Sequence, residues 1–509
     1  MSAMHLQGTF YILNKRCKVT LTNDGISWEP EGTPDLFHHV SASELLGCWL
    51  CPKGSAKCCL YAHPTATGGP LSVGVGVGGC KHSVGKGAGA GLTLEYCERD
   101  RGLKWKVRDV VLHHAAPQVL LAWHHALWTL LNGIPNRPKR LLVIVNPVGG
   151  RRKAYQIYNQ KVAPLFRHAA IQTRVISTEY RGHGRDIVEN GNNLAGMDGV
   201  VVVGGDGLVN EVVTGLLLRA AYDSEIDPHQ PDVSLPQTQV RIGIIPGGST
   251  DATCHGTHGT SDVVTAVLHI IMGDCRNVDV AAVHARGRLQ SVATTMVSYG
   301  YFGDLLETSE RWRKLGPSRY LVSGVLQFLR NRSYEGQLSV LAPETPLAQP
   351  GDSKSCCHQC SICTKASKNS PSSGEWKQFT GRWSVVTSAV VSCACRLTPH
   401  GISPSAHLGD GCTDLILVSG GSRLRILSYL YRTSCTGNAL SLNHVKVHRV
   451  KEVHFTPKTP GPKSTWNCDG EQLDEPALRI KIHCQRVQMF CRGIETWNDL
   501  QKPVPKKSP

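Results

Sequence analysis

Apolar positions along the chain change their spacing from one stretch to the next. From Phe10 to Trp28 they alternate weakly with polar positions around an Asn23-Asp24-Gly25 turn, which predicts two half-buried strands. Leu92–Tyr96 and Trp105–Leu112 predict further strands. From Gln118 to Leu131 the spacing turns helical, with Leu121, Trp128 and Leu131 on or near one face. After a polar, Pro-containing linker over 135–140 the pattern changes character. Leu141–Val145 is an unbroken apolar run, suited to a parallel strand buried on both faces. Ala154, Ile157, Tyr158, Val162 and Leu165 then recur at helical spacing, and 174–177 and Gly199–Val203 predict strands. Leu208–Leu218 predicts a helix and Ile242–Ile245 another strand. Strand and helix alternating over about 130 residues predict a layered α/β domain. From about residue 280 onward, short strands with Gly and Pro turns predict a β-rich second lobe. Surface loops at 342–375 and 456–465 interrupt it.

Composition narrows the class. A chain of 509 residues with 41% hydrophobic and 18% charged residues has a globular balance and room for about three domains. No stretch reaches the roughly 20 apolar residues of a membrane-spanning helix, and Met1–Phe10 lacks the pattern of a secretory leader. Lys and Arg number 55 against 39 Asp and Glu, a formal charge of +16, which favours an anionic partner. The basic residues are spread out and do not alternate with aromatics as in a base-stacking groove, so phosphate or a lipid surface is expected rather than nucleic acid. Twenty cysteines without a leader point to a reducing, intracellular setting. The Gly-rich stretch 68–91 reads as a flexible insertion; it lacks the Gly and Ser/Thr positions of a Walker loop.

Three short motifs follow apolar strands, where an open α/β sheet places its ligand. Asn146-Pro147-Val148-Gly149-Gly150 comes directly after Val145, with Arg151, Arg152 and Lys153 beyond it. Gly204-Gly205-Asp206-Gly207 lies between a strand and a helix, with Glu211 four residues further on. Glycines around one carboxylate suit phosphates lying on backbone while Asp206 faces a reacting group; a tight turn with a capping Asp is the plain alternative. Pro246-Gly247-Gly248-Ser249-Thr250-Asp251 offers hydroxyls and backbone N–H groups to phosphate, with Arg241 as a flanking cation or mere surface. Together they predict one nucleotide cleft.

With LLVIVNPVGG at 141–150, VGGDGLVNEV at 203–212, RIGIIPGGSTD at 241–251, SYGYFGDL at 298–305, GISPSAHLGDG at 401–411 and STWNCDGE at 464–471, the chain resembles the diacylglycerol-kinase-like family of lipid kinases. The Cys356, Cys360, Cys363 spacing resembles its ceramide-phosphorylating branch. The short strands of 1–133, closed by one C-terminal amphipathic helix with a late Trp, resemble a pleckstrin-homology β domain, and the lipid-kinase resemblance implies an α/β catalytic domain over 137–283 and a β-rich lipid-substrate domain over 284–498. It implies ATP at Asn146, Pro147, Val148, Gly149 and Gly150, with Thr178 nearby, and phosphate at Gly248, Ser249 and Thr250. Asp206 would be the general base, and Gly204, Gly205, Gly207, Glu211 and Arg241 would face the substrate. Asp469, Gly470 and Glu471 would return to the cleft, Asp469 and Glu471 organising Mg²⁺. Asp251 stands where relatives commonly carry Asn; Asp410 receives no role. The implied substrate is ceramide, presented from a membrane, with sphingosine or diacylglycerol as the sister choices and an inactive lipid-binding adaptor as the alternative of another class. The first domain would meet phosphoinositide or another acidic lipid surface, at the cytoplasmic side of Golgi and plasma membranes. Calmodulin at 417–432 and Ca²⁺ as activator are also implied, although 424–432 suits a helix packed on the second lobe equally well.

Cys356, Cys357, Cys360 and Cys363, with His358 and the nearby Cys393 and Cys395, leave open both structural or redox-sensitive thiols and a zinc site. The long loop and the lack of a paired knuckle favour the thiols. Trp312 between Arg311 and Arg313-Lys314 suits an interfacial anchor or a solvated basic turn.

Overall fold

The computed structural model describes residues 4–32, 36–51, 59–63, 72–76, 90–149, 152–312, 315–316, 318–344, 346–349, 356, 360–366, 374–395, 397–458 and 463–494. Gly150, Arg151, Arg313, Lys314, Cys357 and His358 lie outside the described residues, as do most of 68–91 and much of the 342–375 loop. The described chain forms two compact units. Among the described residues no helix is long and apolar enough to cross a membrane.

The first unit comprises residues 1–139 together with 161–172 and 267–274. It is an antiparallel sheet closed by a helix. Strands His5–Ile12, Lys15–Thr22 and Gly25–Pro30 follow one another as two hairpins. The Phe10–Trp28 stretch therefore holds parts of three strands rather than two. Its first turn, Leu13-Asn14, has φ of 49° and 64°, the left-handed pair that a two-residue hairpin demands. No glycine marks that turn, so the sequence pattern runs through it. The helix Pro117–Gly133 buries Leu120, Trp123, Leu127, Trp128 and Leu131 against Phe10, Val19, Leu94 and Leu112. Leu121 instead faces outward at 52% exposure, and Leu120 takes the inward place. Residues 161–172 join this unit through His168, whose Nδ1 lies 2.9 Å from Glu95 Oε2.

The second unit carries the three motifs. Strands Arg140–Val145, Gly199–Gly204 and Arg241–Pro246 are parallel neighbours, with Gly199–Gly204 in the middle. Val143, Ile144, Val145 and Val200–Val203 are wholly buried, as unbroken apolar strands between helices should be. Leu478–Phe490 then pairs with Arg241–Pro246 on one side and runs antiparallel to Cys275–Ala285 and Glu452–Pro457. The sheet continues through Tyr334–Ala342, Glu375–Ala389 and Met296–Gly300 to Trp466–Cys468. The α/β part and the β-rich part thus share one sheet, joined by a strand from near the end of the chain. Tyr299, Tyr334, Phe455 and Trp466 pack ring against ring in its core: Tyr299 meets Tyr334, and Phe455 meets Trp466, edge to face, while Tyr299 lies tilted 4.9 Å from both Phe455 and Trp466.

Truncating Trp466 to Ala should lower the stability of the larger unit by ~3–5 kcal/mol, as loss of a fully buried aromatic does. Urea unfolding followed by circular dichroism reads this as a lower midpoint of that unit's transition.

Candidate active site

Register brings the motifs level. Val145 pairs with Val203, Val203 with Ile245 and Gly204 with Pro246. The three loops therefore leave the same edge of the sheet, the carboxyl ends of its strands, where open α/β sheets bind ligands. Asn146 Oδ1 accepts hydrogen bonds from the Val148 and Gly149 N–H groups at 3.1 and 2.8 Å, which curls the first loop over its own side chain. Thr178 is buried beside it, its N–H donating to Val145 O at 2.9 Å. Exposed Arg152 and Lys153 follow the loop.

The second and third loops touch backbone to backbone. Gly247 N donates to Gly204 O at 2.9 Å. A Cβ on Gly248 would lie 2.6 Å from Gly205 Cα, so Gly248 cannot be replaced without parting the loops. Asp206, the first residue of the helix Asp206–Asp223, fastens them. Its Oδ2 accepts from the Thr250 hydroxyl at 2.8 Å and the Ala252 N–H at 3.0 Å. Its Oδ1 accepts from the Thr253 N–H at 2.8 Å and the Thr253 hydroxyl at 2.9 Å. A carboxylate has about four lone-pair sites, and these four donors fill them. Thr253 lies outside every motif read from the sequence. Asp251 adopts φ of 53° and its Oδ1 accepts from the Gly248 N–H at 2.7 Å. Asp and Asn both tolerate that left-handed backbone, so the change from Asn keeps the turn.

Glu211 also has an architectural job. Its two oxygens accept from the Gly182 and Gly184 N–H groups, each at 3.0 Å. Burial pushes its carboxyl up from the ordinary value, against the pull of those two N–H groups. Arg241 is not brought to the loops. It starts the strand that ends at Pro246, about 16 Å from the loop edge at ~3.3 Å per residue. There it lies 4.5 Å over the Phe490 ring and donates to Asp198 O.

Asp469 lies inside the β-rich part at a left-handed φ of 49°. Its carboxylate accepts from the N–H groups of Thr294, Thr295 and Met296, the hydroxyls of Thr294 and Thr295, and Asn210 Nδ2. Burial pushes its pKa up and those donors oppose the shift. So many donors leave no oxygen for a cation, and a Mg²⁺-ligand role for Asp469 does not fit. Glu471 does better: it is partly exposed and its Oε1 meets Arg181 Nη2 at 3.2 Å. Gly470 is exposed between them. Asp410 is taken up by buried Arg449. Asp304, within SYGYFGDL, is a buried carboxylate that accepts from the Ser464 and Tyr334 hydroxyls, and burial raises its pKa.

Three glycine-containing loops thus lie together at the carboxyl edge of a parallel sheet, and comparisons with known proteins give the family of the chain that carries them. Residues 140–283 match the diacylglycerol kinase catalytic domain, and residues 295–464 match the ceramide kinase C-terminal domain. The mouse and human proteins named ceramide kinase are each 36% identical over 446 residues, spanning 79% of this chain and 84% and 83% of their own lengths. Ceramide kinase 1 of Caenorhabditis elegans is 32% identical over 422 residues, spanning 79% of this chain and 75% of its own. The chain belongs to the ceramide kinase branch of the diacylglycerol-kinase-like family and is an ATP-dependent lipid kinase.

Replacing Gly248 with Ala should weaken binding of a fluorescent ATP analogue at least ~10-fold, because the added Cβ would part the two loops. Titration by fluorescence anisotropy measures it.

Proposed function

We propose that the chain transfers the γ-phosphoryl group of ATP to the primary hydroxyl of ceramide, giving ceramide 1-phosphate and ADP. The observation that carries this reading is the Asp206 joint at the meeting of two glycine loops, in a chain whose relatives are named for ceramide. Phosphoryl transfer asks a protein for alignment and charge neutralisation. The Gly205–Gly248 contact and the N-terminus of the Asp206–Asp223 helix supply a surface for phosphate. Thr250 and Thr253 hydroxyls, which rotate, turn to the γ-phosphate and open an oxygen of Asp206 to the lipid hydroxyl. Asp206 then takes its proton as the oxygen attacks. Glu471 is the protein carboxylate that would help hold Mg²⁺, which would supply neutralisation of phosphate charge.

Two helices of the second unit support a membrane-presented substrate. Ser318–Arg330 exposes Leu321, Val325 and Leu329, and Arg423–Cys435 exposes Leu424, Leu427 and Tyr431. Arg423 donates to Leu329 O at 3.0 Å, tying the two into one apolar ridge set among arginines. Such a ridge suits the boundary of a bilayer carrying anionic lipid. The first unit, read as a pleckstrin-homology-like domain, adds phosphoinositide contact at the cytoplasmic side of Golgi and plasma membranes. Ca²⁺ and calmodulin acting at 417–432 are part of the same reading; calmodulin would have to draw out Ile426 and Tyr429, which are buried. An inactive lipid-binding adaptor is the reading of another class, and the presence of Asp206, Asp469 and Glu471 together weighs against it.

Transfer of label from γ-labelled ATP to ceramide, in micelles that also offer sphingosine and diacylglycerol, tests the substrate. Label in ceramide supports the proposal; label in another lipid moves the chain to a sister activity, and none in any lipid leaves the adaptor. Leu321→Asp with Leu424→Asp should reduce co-sedimentation with anionic vesicles at least ~10-fold, given ~1.5–3 kcal/mol for each buried leucine.

A further inference from the structure

Away from the phosphate loops, the second unit gathers Cys356, Cys360, Cys363 and His407 into one buried cluster. None is more than 5% exposed: Cys356 and His407 are at 1%, and Cys360 and Cys363 at 5%. The four ligand atoms all lie within 4.8 Å of one another. Cys356 Sγ is 3.5 Å from Cys363 Sγ, and Cys360 Sγ is 3.3 Å from His407 Nδ1. A tetrahedral zinc ion with Zn–S near 2.3 Å and Zn–N near 2.0–2.1 Å sets its ligand atoms about 3.6–3.8 Å apart. A disulfide would need about 2.05 Å and would leave one thiol over. We propose that Cys356, Cys360, Cys363 and His407 bind one structural zinc ion.

The surroundings fit a closed site. Three thiolates and a neutral imidazole around Zn²⁺ carry a net charge of about −1, and Arg276 Nη2 lies 3.8 Å from Cys356 Sγ to offset it. The backbone of the site is fixed from several directions. Ile494 N–H donates to Cys356 O at 2.7 Å. Gln485 Nε2 donates to both Cys363 O, at 2.8 Å, and Gly409 O, at 2.7 Å. Asp279 N–H donates to Leu408 O at 2.6 Å. The ion would therefore pin Cys356 and the helix Ser361–Ala366 to the 401–411 segment, beside strands Cys275–Ala285 and Leu478–Phe490. His407 Nε2 is buried with no hydrogen-bond partner among the described residues, so its ring has the cysteine side to hold it. Cys393 and Cys395 take no part: Cys393 donates to Thr295 O and Val391 O, and Cys395 pairs with Thr398. The sequence hid the fourth ligand. His407 lies 44 residues beyond Cys363, inside the GISPSAHLGDG stretch and far from any cysteine spacing.

The test uses the full chain, purified without chelator. Elemental analysis should find about one zinc per chain, and zinc-edge absorption should show three sulfurs near 2.3 Å and one nitrogen near 2.0 Å. That measurement needs no substitution, so it stands even where a variant fails to fold. His407→Ala and Cys363→Ser should each lower zinc to below about half an equivalent, and Cys435→Ser, at an exposed thiol, should leave it near one. Zinc below about a tenth of an equivalent after supplementation, a shell of oxygen and nitrogen alone, or a mapped disulfide among the three cysteines would overturn the proposal.

Discussion

The Asp206 carboxylate is the fastening on which the site depends. Two loops rich in glycine have little of their own to hold them in shape, since each glycine adds backbone freedom that folding must remove. The chain meets that cost with one charged side chain. From the first turn of a long helix, Asp206 takes four donors from Thr250, Ala252 and Thr253 and so ties the start of one helix to the start of the next. Hydrogen bonds to a charged acceptor are the stronger kind, each contributing about 1.5–3 kcal/mol. The contact of Gly205 with Gly248 is possible because that fastening draws the loops together.

A second fastening lies near the same helix, where Asn210 Nδ2 reaches the Asp469 carboxylate. Asp469 collects donors from Thr294, Thr295 and Met296, so the hairpin before Glu471 is stapled to the turn ahead of Met296–Gly300. The strand Leu478–Phe490 then closes the sheet between the parallel and antiparallel parts. Glu211 on Gly182 and Gly184 repeats the device.

Much of this was legible in the sequence. Unbroken apolar runs located the three parallel strands, and glycines within four residues after Val145, Val203 and Ile245 located the loops, because close backbone approach leaves few other residue types. The less legible parts share a cause: they depend on partners distant in the chain. Asp206 pairs with Thr253, Asp469 with Thr294, and His407 with Cys360, and no local spacing signals any of them. Arg241 misled for the complementary reason. It is adjacent to a motif in sequence, yet a strand's length separates it from the loop in space. The Leu13-Asn14 turn escaped because its left-handed residues are not glycine.

The central claim is that Asp206 both fastens the loops and takes the proton, and Asp206→Asn separates the two roles. Asn keeps one acceptor oxygen for the Thr253 side but cannot accept a proton. ATP-analogue affinity should therefore fall by no more than about tenfold, while turnover on ceramide falls by about 10²–10⁴-fold. Turnover that declines only as far as affinity does would contradict the account and leave Asp206 a fastening alone.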